Sequence, residues 1–312
     1  MNNFNQTILV TGGAGFIGAN FIEYFAKKYP MIRLVNLDAM TYAAHQQAVD
    51  IQDDMNNVVL IKGDITDKGL VEYLFESFQV NGIDRVVHFA AESHVDNSIT
   101  DPLKFVRTNV MGTAILLNTA LRYWKKMKSL NTSRFHHIST DEVYGSLGAE
   151  GFFTEESPYS PNSPYSSSKA SSDMLVRAHV HTYGMNATVS NCSNNYGPWQ
   201  HAEKFIPTVI RKCLKREPIP VYGTGKNIRD WLWVGDHCRA VDLIFHQAAP
   251  GARYNVGGHC ERSNLDIAKG ICRLLDEMHP WSGHQYRELI TFVDGWSSRA
   301  VSDFLKVRIK FA

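Results

Sequence analysis

Three short stretches of this chain carry residue types that do chemistry. ISTDEVYG sets Thr140 ahead of two adjacent carboxylates, Asp141 and Glu142, with no basic residue between them. SPYSSSK places Tyr165 and Lys169 at i and i+4, and TGGAGFIG spaces Gly12, Gly15 and Gly18 as GxxGxxG. Adjacent carboxylates repel, so one tends to keep its proton while the other ionises, which suits a split acid and base role. Two isolated acids would read as a solvated turn, and Tyr165 with Lys169 alone as an exposed pair on one helix face. The surroundings decide.

The glycine triplet follows an apolar run at 8–11 and opens a helical pattern with Phe16, Ile17, Phe21, Ile22 and Phe25. Such a loop lets backbone N–H groups approach a diphosphate seated on the positive end of a helix. Asp38 closes the next apolar run, about twenty residues beyond Gly18, where a carboxylate would hydrogen-bond an adenosine ribose and repel a 2′-phosphate. NAD rather than NADP is therefore the expected cofactor. Asp64 and Ile65, after the third run, would flank the adenine.

The runs at 8–11, 33–38, 58–64, 85–91 and 134–140 are β-branched and close to uniformly apolar, as strands buried on both faces should be. They alternate with helical patterns, including long ones at 102–126 and 164–183 that each open on a proline. This predicts an α/β fold, a doubly wound parallel sheet of Rossmann type. After about residue 193 proline and glycine concentrate in NNYGPW, REPIPVYGTG and APGARYNVGG. We therefore expect a dinucleotide-binding domain over 1–192 carrying the catalytic residues, and a smaller α/β substrate lobe over 193–312, partly interleaved with the first.

A chain of 312 residues with 44% hydrophobic and 20% charged residues fits a globular enzyme. The net charge of +1 provides no field for nucleic acid or an anionic membrane. No apolar run approaches membrane-spanning length, and MNNFNQT lacks the features of a signal peptide, so a cytoplasmic protein is expected. The five cysteines (Cys192, Cys213, Cys238, Cys260 and Cys272) form no CxxC pair and read as reduced thiols. The thirteen histidines show no ligand spacing, so no metal is expected.

GxxGxxG together with YxxxK resembles the extended short-chain dehydrogenase/reductase family. The strings ISTDEVYG, AAESHVDNSI, SPYSSSKASSD, NCSNNYGP, IRDWLWV and YNVGGH are similar to its nucleotide-sugar 4,6-dehydratases, over about residues 8–293. The resemblance implies dTDP-glucose as substrate and a 4-dehydro-6-deoxy sugar as product, supplied to deoxysugar synthesis such as that of rhamnose. It implies that Tyr165 takes a proton from a sugar hydroxyl, helped by Lys169 and Thr140, as hydride leaves C4. Glu142 would then take the C5 proton and Asp141 protonate the C6 hydroxyl, before hydride returns to C6. Phe89, Ala90, Ala91, Ser93, Thr108 and Asn195 would line the cofactor. Ser93, Asn194, Lys204, Phe205, Pro220, Tyr222, Arg229 and Asn264 would hold the nucleotide sugar, and the helices 102–126 and 164–183 would pair in a homodimer. Alternatives are a UDP- or CDP-sugar dehydratase or epimerase, and a non-catalytic NAD-binding remnant.

The pattern breaks after ITFV. Relatives continue into a DRPGHDxRY-like segment that supplies an arginine and a tyrosine to the diphosphate; this chain reads DGWSSRAVSDFLKVRIKFA, with Arg299 nearby. Without those two charge-assisted hydrogen bonds, binding would weaken by about 1.5–3 kcal/mol for each. The change would also expose apolar surface on the second lobe.

Overall fold

The computed structural model describes residues 4–78, 82–147 and 151–293. The distinctive ending after Val293, Arg299 included, lies outside the described residues.

The chain opens with β1 (Gln6–Thr11), α1 (Phe16–Lys28), β2 (Ile32–Asp38), α2 (Gln46–Asp53), β3 (Val58–Lys62), α3 (Lys68–Ser77) and β4 (Ile83–His88). There follow α4 (Val95–Thr100), α5 (Pro102–Phe105), α6 (Thr113–Lys126), β5 (Arg134–Thr140), α7 (Pro164–Tyr183), β6 (Ala187–Cys192) and β7 (Asn194–Tyr196). The remainder is α8 (Phe205–Lys215), β8 (Ile219–Tyr222), β9 (Ile228–Trp233), α9 (Val234–Gln247), β10 (Arg253–Val256), β11 (Glu261–Ser263), α10 (Asn264–Met278) and β12 (Ile290–Val293). Strands β3-β2-β1-β4-β5-β6-β10 form a seven-stranded sheet, parallel throughout. This is the expected doubly wound α/β fold. Its strand order reverses between β1 and β4, the crevice where such sheets bind ligands.

Alternation along β1 explains the two layers. Ile8 and Val10 pack with Phe21 and Phe25 of α1 and Val241 and Phe245 of α9. Leu9 turns to the other face, with Leu74 of α3, Leu116 of α6 and Val176 of α7. The expected strands at 58–64 and 85–91 end earlier, at Lys62 and His88, because the chain leaves the ladder to build the cavity rim. Strand β10 and helix α9 come from the later part of the chain yet complete the sheet and its first layer. A separate core of Val209, Cys213, Ile219, Val221, Ala268 and Cys272 lies between α8, α10 and the β8–β12 pair.

The run 102–126 is helical as expected, but its middle, Val106–Gly112, is wound as a π-helix. The wider turn leaves the Asn109 carbonyl free to accept hydroxyl donors, from Thr113 at 2.5 Å and from Ser172 of α7 at 2.7 Å. Helix α7 begins on a capping box of Ser163 and Ser166 with Pro164 at its first turn, and stops at Gly184, whose φ is +66°.

Candidate active site

A cavity of about 570 Å³ opens at the C-terminal ends of β1, β4, β5 and β6. Its floor is the glycine loop. Gly12 sits at φ +75°, and a Cβ there would lie 2.6 Å from the Ala90 nitrogen, so glycine is required on both counts. A Cβ on Gly18 would meet the Gly12 carbonyl oxygen at 2.2 Å. Gly15 differs: a Cβ would meet nothing nearer than 3.4 Å, so its bareness serves whatever enters the cavity. The loop is held from behind. Gly13 N–H donates to Asn36 Oδ1 at 3.0 Å, Asn36 Nδ2 to Gln52 Oε1 at 2.8 Å, and Gln52 Nε2 back to the Gly13 carbonyl at 2.7 Å. Asp38 accepts from the Ala14 N–H at 2.9 Å and the Met40 N–H at 2.8 Å while still lining the cavity. This cradle, a bare glycine floor with a carboxylate at the next strand end, fits a dinucleotide.

Phe16, Ile17, Asp64, Ile65, Phe89, Ala90, Ala91, Ser93 and Thr108 all line the same cavity. Asp64 also holds its own turn, accepting from the Thr66 N–H at 2.8 Å; the cap of α3 is Asp67. Asn194, Asn195 and Lys204 close the opposite wall.

Thr140 is the last residue of β5, and its hydroxyl accepts from the Glu142 N–H at 3.3 Å, turning the chain into a short 3-10 helix, Asp141–Tyr144. Glu142 faces the cavity together with Thr140, Tyr165 and Lys169. Asp141 lies just behind, 3% exposed, with Oδ1 accepting from the Thr140 hydroxyl at 3.1 Å and Oδ2 without a hydrogen bond. Burial pushes the Asp141 carboxyl up to about 8, and the Glu142 charge pushes it the same way. Glu142 is also raised by burial, but Arg229 and Lys204 pull it back. Two adjacent acids are thus held in different states: Asp141 protonated at neutral pH, Glu142 facing cations.

Tyr165 and Lys169 lie on the buried face of α7. Burial raises the Tyr165 phenol, the Glu142 charge adds to this, and a hydrogen bond with Thr140 opposes it. Lys169 Nζ donates to the Ile138 carbonyl at 2.8 Å, and burial lowers its ammonium to about 8.

Other expected substrate contacts lie farther along the chain. Arg229, on β9, is the cation that most offsets the burial of Glu142. Phe205 opens α8 with its ring 6.3 Å from that of Trp231. Pro220 and Tyr222 lie on β8, Tyr222 64% exposed, and Asn264 opens α10. None of these five is in the wall of the 570 Å³ cavity.

A family model described as GDP-mannose 4,6 dehydratase matches residues 9–292. The chain belongs to this family. Within it, the chain is 50% identical over 284 residues to the dTDP-glucose 4,6-dehydratase of Xanthomonas campestris pv. campestris (strain B100), covering 90% of this chain and 80% of the relative. It is 47% identical to the Haemophilus influenzae dTDP-glucose 4,6-dehydratase, over 92% of this chain and 86% of the relative. A crystal structure of dTDP-glucose 4,6-dehydratase from Bacillus anthracis in complex with NAD superposes with a TM-score of 0.81 at 40% identity, over 93% of this chain and 85% of that one.

In this family member the cavity has features that the sequence did not single out. Glu92 and Lys104 pair at 2.8 Å in its wall, with the Tyr42 hydroxyl 3.3 Å from Glu92. His201 faces Tyr42 from the other rim, ring centroids 6.0 Å apart. Tyr42, Glu92 and His201 come from separate loops and Lys104 from α5, so no period links them. Asp173, behind Lys169, could have been found, because it extends the Tyr165, Lys169 spacing by another four. Among the described residues no group of three His, Cys, Asp or Glu is set to hold a metal ion. Four of the cysteines are buried and all five are free thiols.

Proposed function

We propose that this chain is an NAD-dependent dehydratase that converts dTDP-glucose to dTDP-4-dehydro-6-deoxy-glucose. The observation that carries the reading is the Thr140, Asp141, Glu142 run at the end of β5, with Thr140 and Asp141 buried and Glu142 facing the cavity that Tyr165 and Lys169 line. When bound, NAD⁺ supplies the chemistry of taking a hydride from C4 and giving it back at C6; Gly12, Gly15, Gly18 and Asp38 would hold it. Tyr165 takes the proton of the C4 hydroxyl, with Thr140 orienting its phenol. Burial works against a phenolate, so Tyr165 needs the positive charge of Lys169 on its own helix face. A ketone at C4 makes the C5 proton acidic. Glu142, partnered by Arg229 and Lys204, removes it. Asp141 holds a proton at neutral pH and delivers it to the C6 hydroxyl, which departs as water. Lys204 and Arg229 would also meet the diphosphate, with Ser93, Asn194, Phe205, Pro220, Tyr222 and Asn264 completing the substrate side.

The division into a cofactor domain over 1–192 and a substrate lobe over 193–312, partly interleaved with the first, is part of this proposal, supported by the separate core of α8 and α10 and by α9 and β10 returning to the first sheet. So is a homodimer through 102–126 and 164–183. Leu103, Val106, Met111 and Met174 remain exposed there, beside an apolar groove formed by Val110, Pro161, Ala170 and Leu175. No helix among the described residues is long and apolar enough to cross a membrane. A cytoplasmic location is a further part of the proposal, in keeping with an intracellular nucleotide-sugar substrate.

The test is incubation of the purified protein with dTDP-glucose and, in parallel, UDP-glucose. Alkali should develop the ultraviolet band of a 4-keto sugar from the first and much less from the second. Equal turnover of UDP-glucose would reassign the nucleotide, and no band from either would refute the dehydratase reading.

A further inference from the structure

The mechanism above needs Lys169 as a cation, although the residue is only 4% exposed. One group is placed to answer that need. Asp173 stands one turn farther along the same face of α7, 3% exposed. Its Oδ2 accepts from the Ser139 hydroxyl at 2.8 Å, the Tyr159 hydroxyl at 2.7 Å and the Asn191 amide at 3.2 Å. Its Oδ1 has no hydrogen bond and lies 3.2 Å from His137 Nε2. The same His137 nitrogen is 3.4 Å from Lys169 Nζ.

We propose that Asp173 is a positioning residue for Lys169: a sealed-in carboxylate that serves as counter-ion to the ammonium across the edge of the His137 ring. The proposal rests on the Tyr165 and Lys169 roles given above.

A purely structural hub would look different. The donors that converge on Oδ2 need one acceptor oxygen, which an asparagine would supply. The second, unbonded oxygen of a buried carboxylate is a cost with no packing purpose. The other titratable groups around the pair do not replace it. His137 on β5 and His88 on β4, ring centroids 5.1 Å apart, are both held neutral by burial. Cys192 on β6 is pushed up to about 12 by burial and stays a thiol. Tyr144 and Tyr159 are raised by burial and stay phenols, and Arg253 of β10, a cation, flanks Asp173 from the far side. Asp141 and Glu142, from the 3-10 turn, act on the Tyr165 phenol. The influences are reciprocal: after burial, Asp173 is the leading influence on Lys169, and Lys169 the leading influence on Asp173.

The experiment reads the charge of Lys169 without any sugar. The full chain is acetylated with acetic anhydride across a pH series, and labelling at Lys169 is followed by peptide mass spectrometry. Only the neutral amine reacts, so the midpoint reports the ammonium. In Asp173→Asn the midpoint should move down by about one pH unit or more. The alkaline limb of kcat/KM for dTDP-glucose should move the same way. Asp173→Glu, which keeps the charge, should hold the midpoint at or above that of the wild type. Coincident midpoints for wild type and Asp173→Asn overturn the proposal. Should Asp173→Asn fail to fold, Asp173→Glu decides, and a downward shift there overturns it. A wild type inactive on dTDP-glucose would sink the dehydratase reading and leave the labelling to judge Asp173 separately.

Discussion

The loops after β1 and β5 leave the same edge of the same sheet, yet they are built on opposite principles. In the β1 loop the protein's own polar groups are matched: Gly13, Asn36 and Gln52 close a buried ring of hydrogen bonds, and Asp38 secures Ala14 and Met40. In the β5 loop they are not. Asp141 keeps a buried oxygen without a partner and sits next to another acid. A cradle that must hold a cofactor gains from rigidity, whereas acid and base groups need environments that displace their protons. The contrast shows where this chain spends stability on reactivity.

The comparison can be broken from either side. Glu142→Gln keeps the shape of the β5 turn and removes the proposed base. Formation of the 4-keto product should fall by about 10²–10⁴-fold with the melting temperature little changed. A wild-type rate would end the base assignment. Gly12→Ala attacks the matched side: with φ at +75° and Ala90 in the way, unfolding free energy should drop by about 2–4 kcal/mol, with loss of bound NAD. Denaturant titration and cofactor retention check it. Gln52→Leu leaves the Gly13 carbonyl and the Asn36 amide unpaired, for about 1–3 kcal/mol of stability. Because Gln52 lies behind the loop, kcat at saturating NAD should change less than twofold or so.

The smallest effect has the opposite sign. Asp141 has its folded-state pKa raised, from an ordinary value near 3.8 to about 8. Between those values the native protein binds one proton more than the unfolded chain, so this residue's contribution is fully present at low pH and is lost as pH rises towards 8. Asp141→Asn should remove that slope. The variant should be more stable than wild type at pH 8, by on the order of 1–2 kcal/mol, with the gap closing near pH 4. Urea midpoints at several pH values measure it, and a gap independent of pH would show that Asp141 is not held protonated. Product formation should fall in the same variant, separating stability from chemistry.

Much of the fold was legible in the residues because two periods govern it. Uniformly apolar runs bounded by turns marked the first five strands, and i, i+4 spacing put Tyr165 and Lys169 on one side of α7. The strand β10 was not legible, since RYNV among glycines and prolines is too short to show a period; it joins the sheet through its ladder with β6. Nor was the π-helical turn at Val106–Gly112, because its cause is tertiary: the Asn109 carbonyl is taken up by hydroxyls of α6 and α7. Sequence spacing suggested the cofactor loop almost residue for residue, whereas Pro220, Tyr222 and Asn264 fall outside the main cavity wall.

By itself, then, the order of residues determined which groups could react: a glycine loop before a helix, a hydroxyl followed by two acids, a phenol one turn from an amine. Those are local matters, settled by spacing along strand and helix. Only the tertiary structure decided the protonation of these groups, because that depends on what is excluded and what faces them. Burial behind β5 gives Asp141 its proton, Arg229 and Lys204 arrive from segments beyond residue 200 to favour a charged Glu142, and Asp173 lies behind Lys169 under Ser139, Tyr159 and Asn191. Electric fields act through space between segments far apart in the chain, and no periodicity records them.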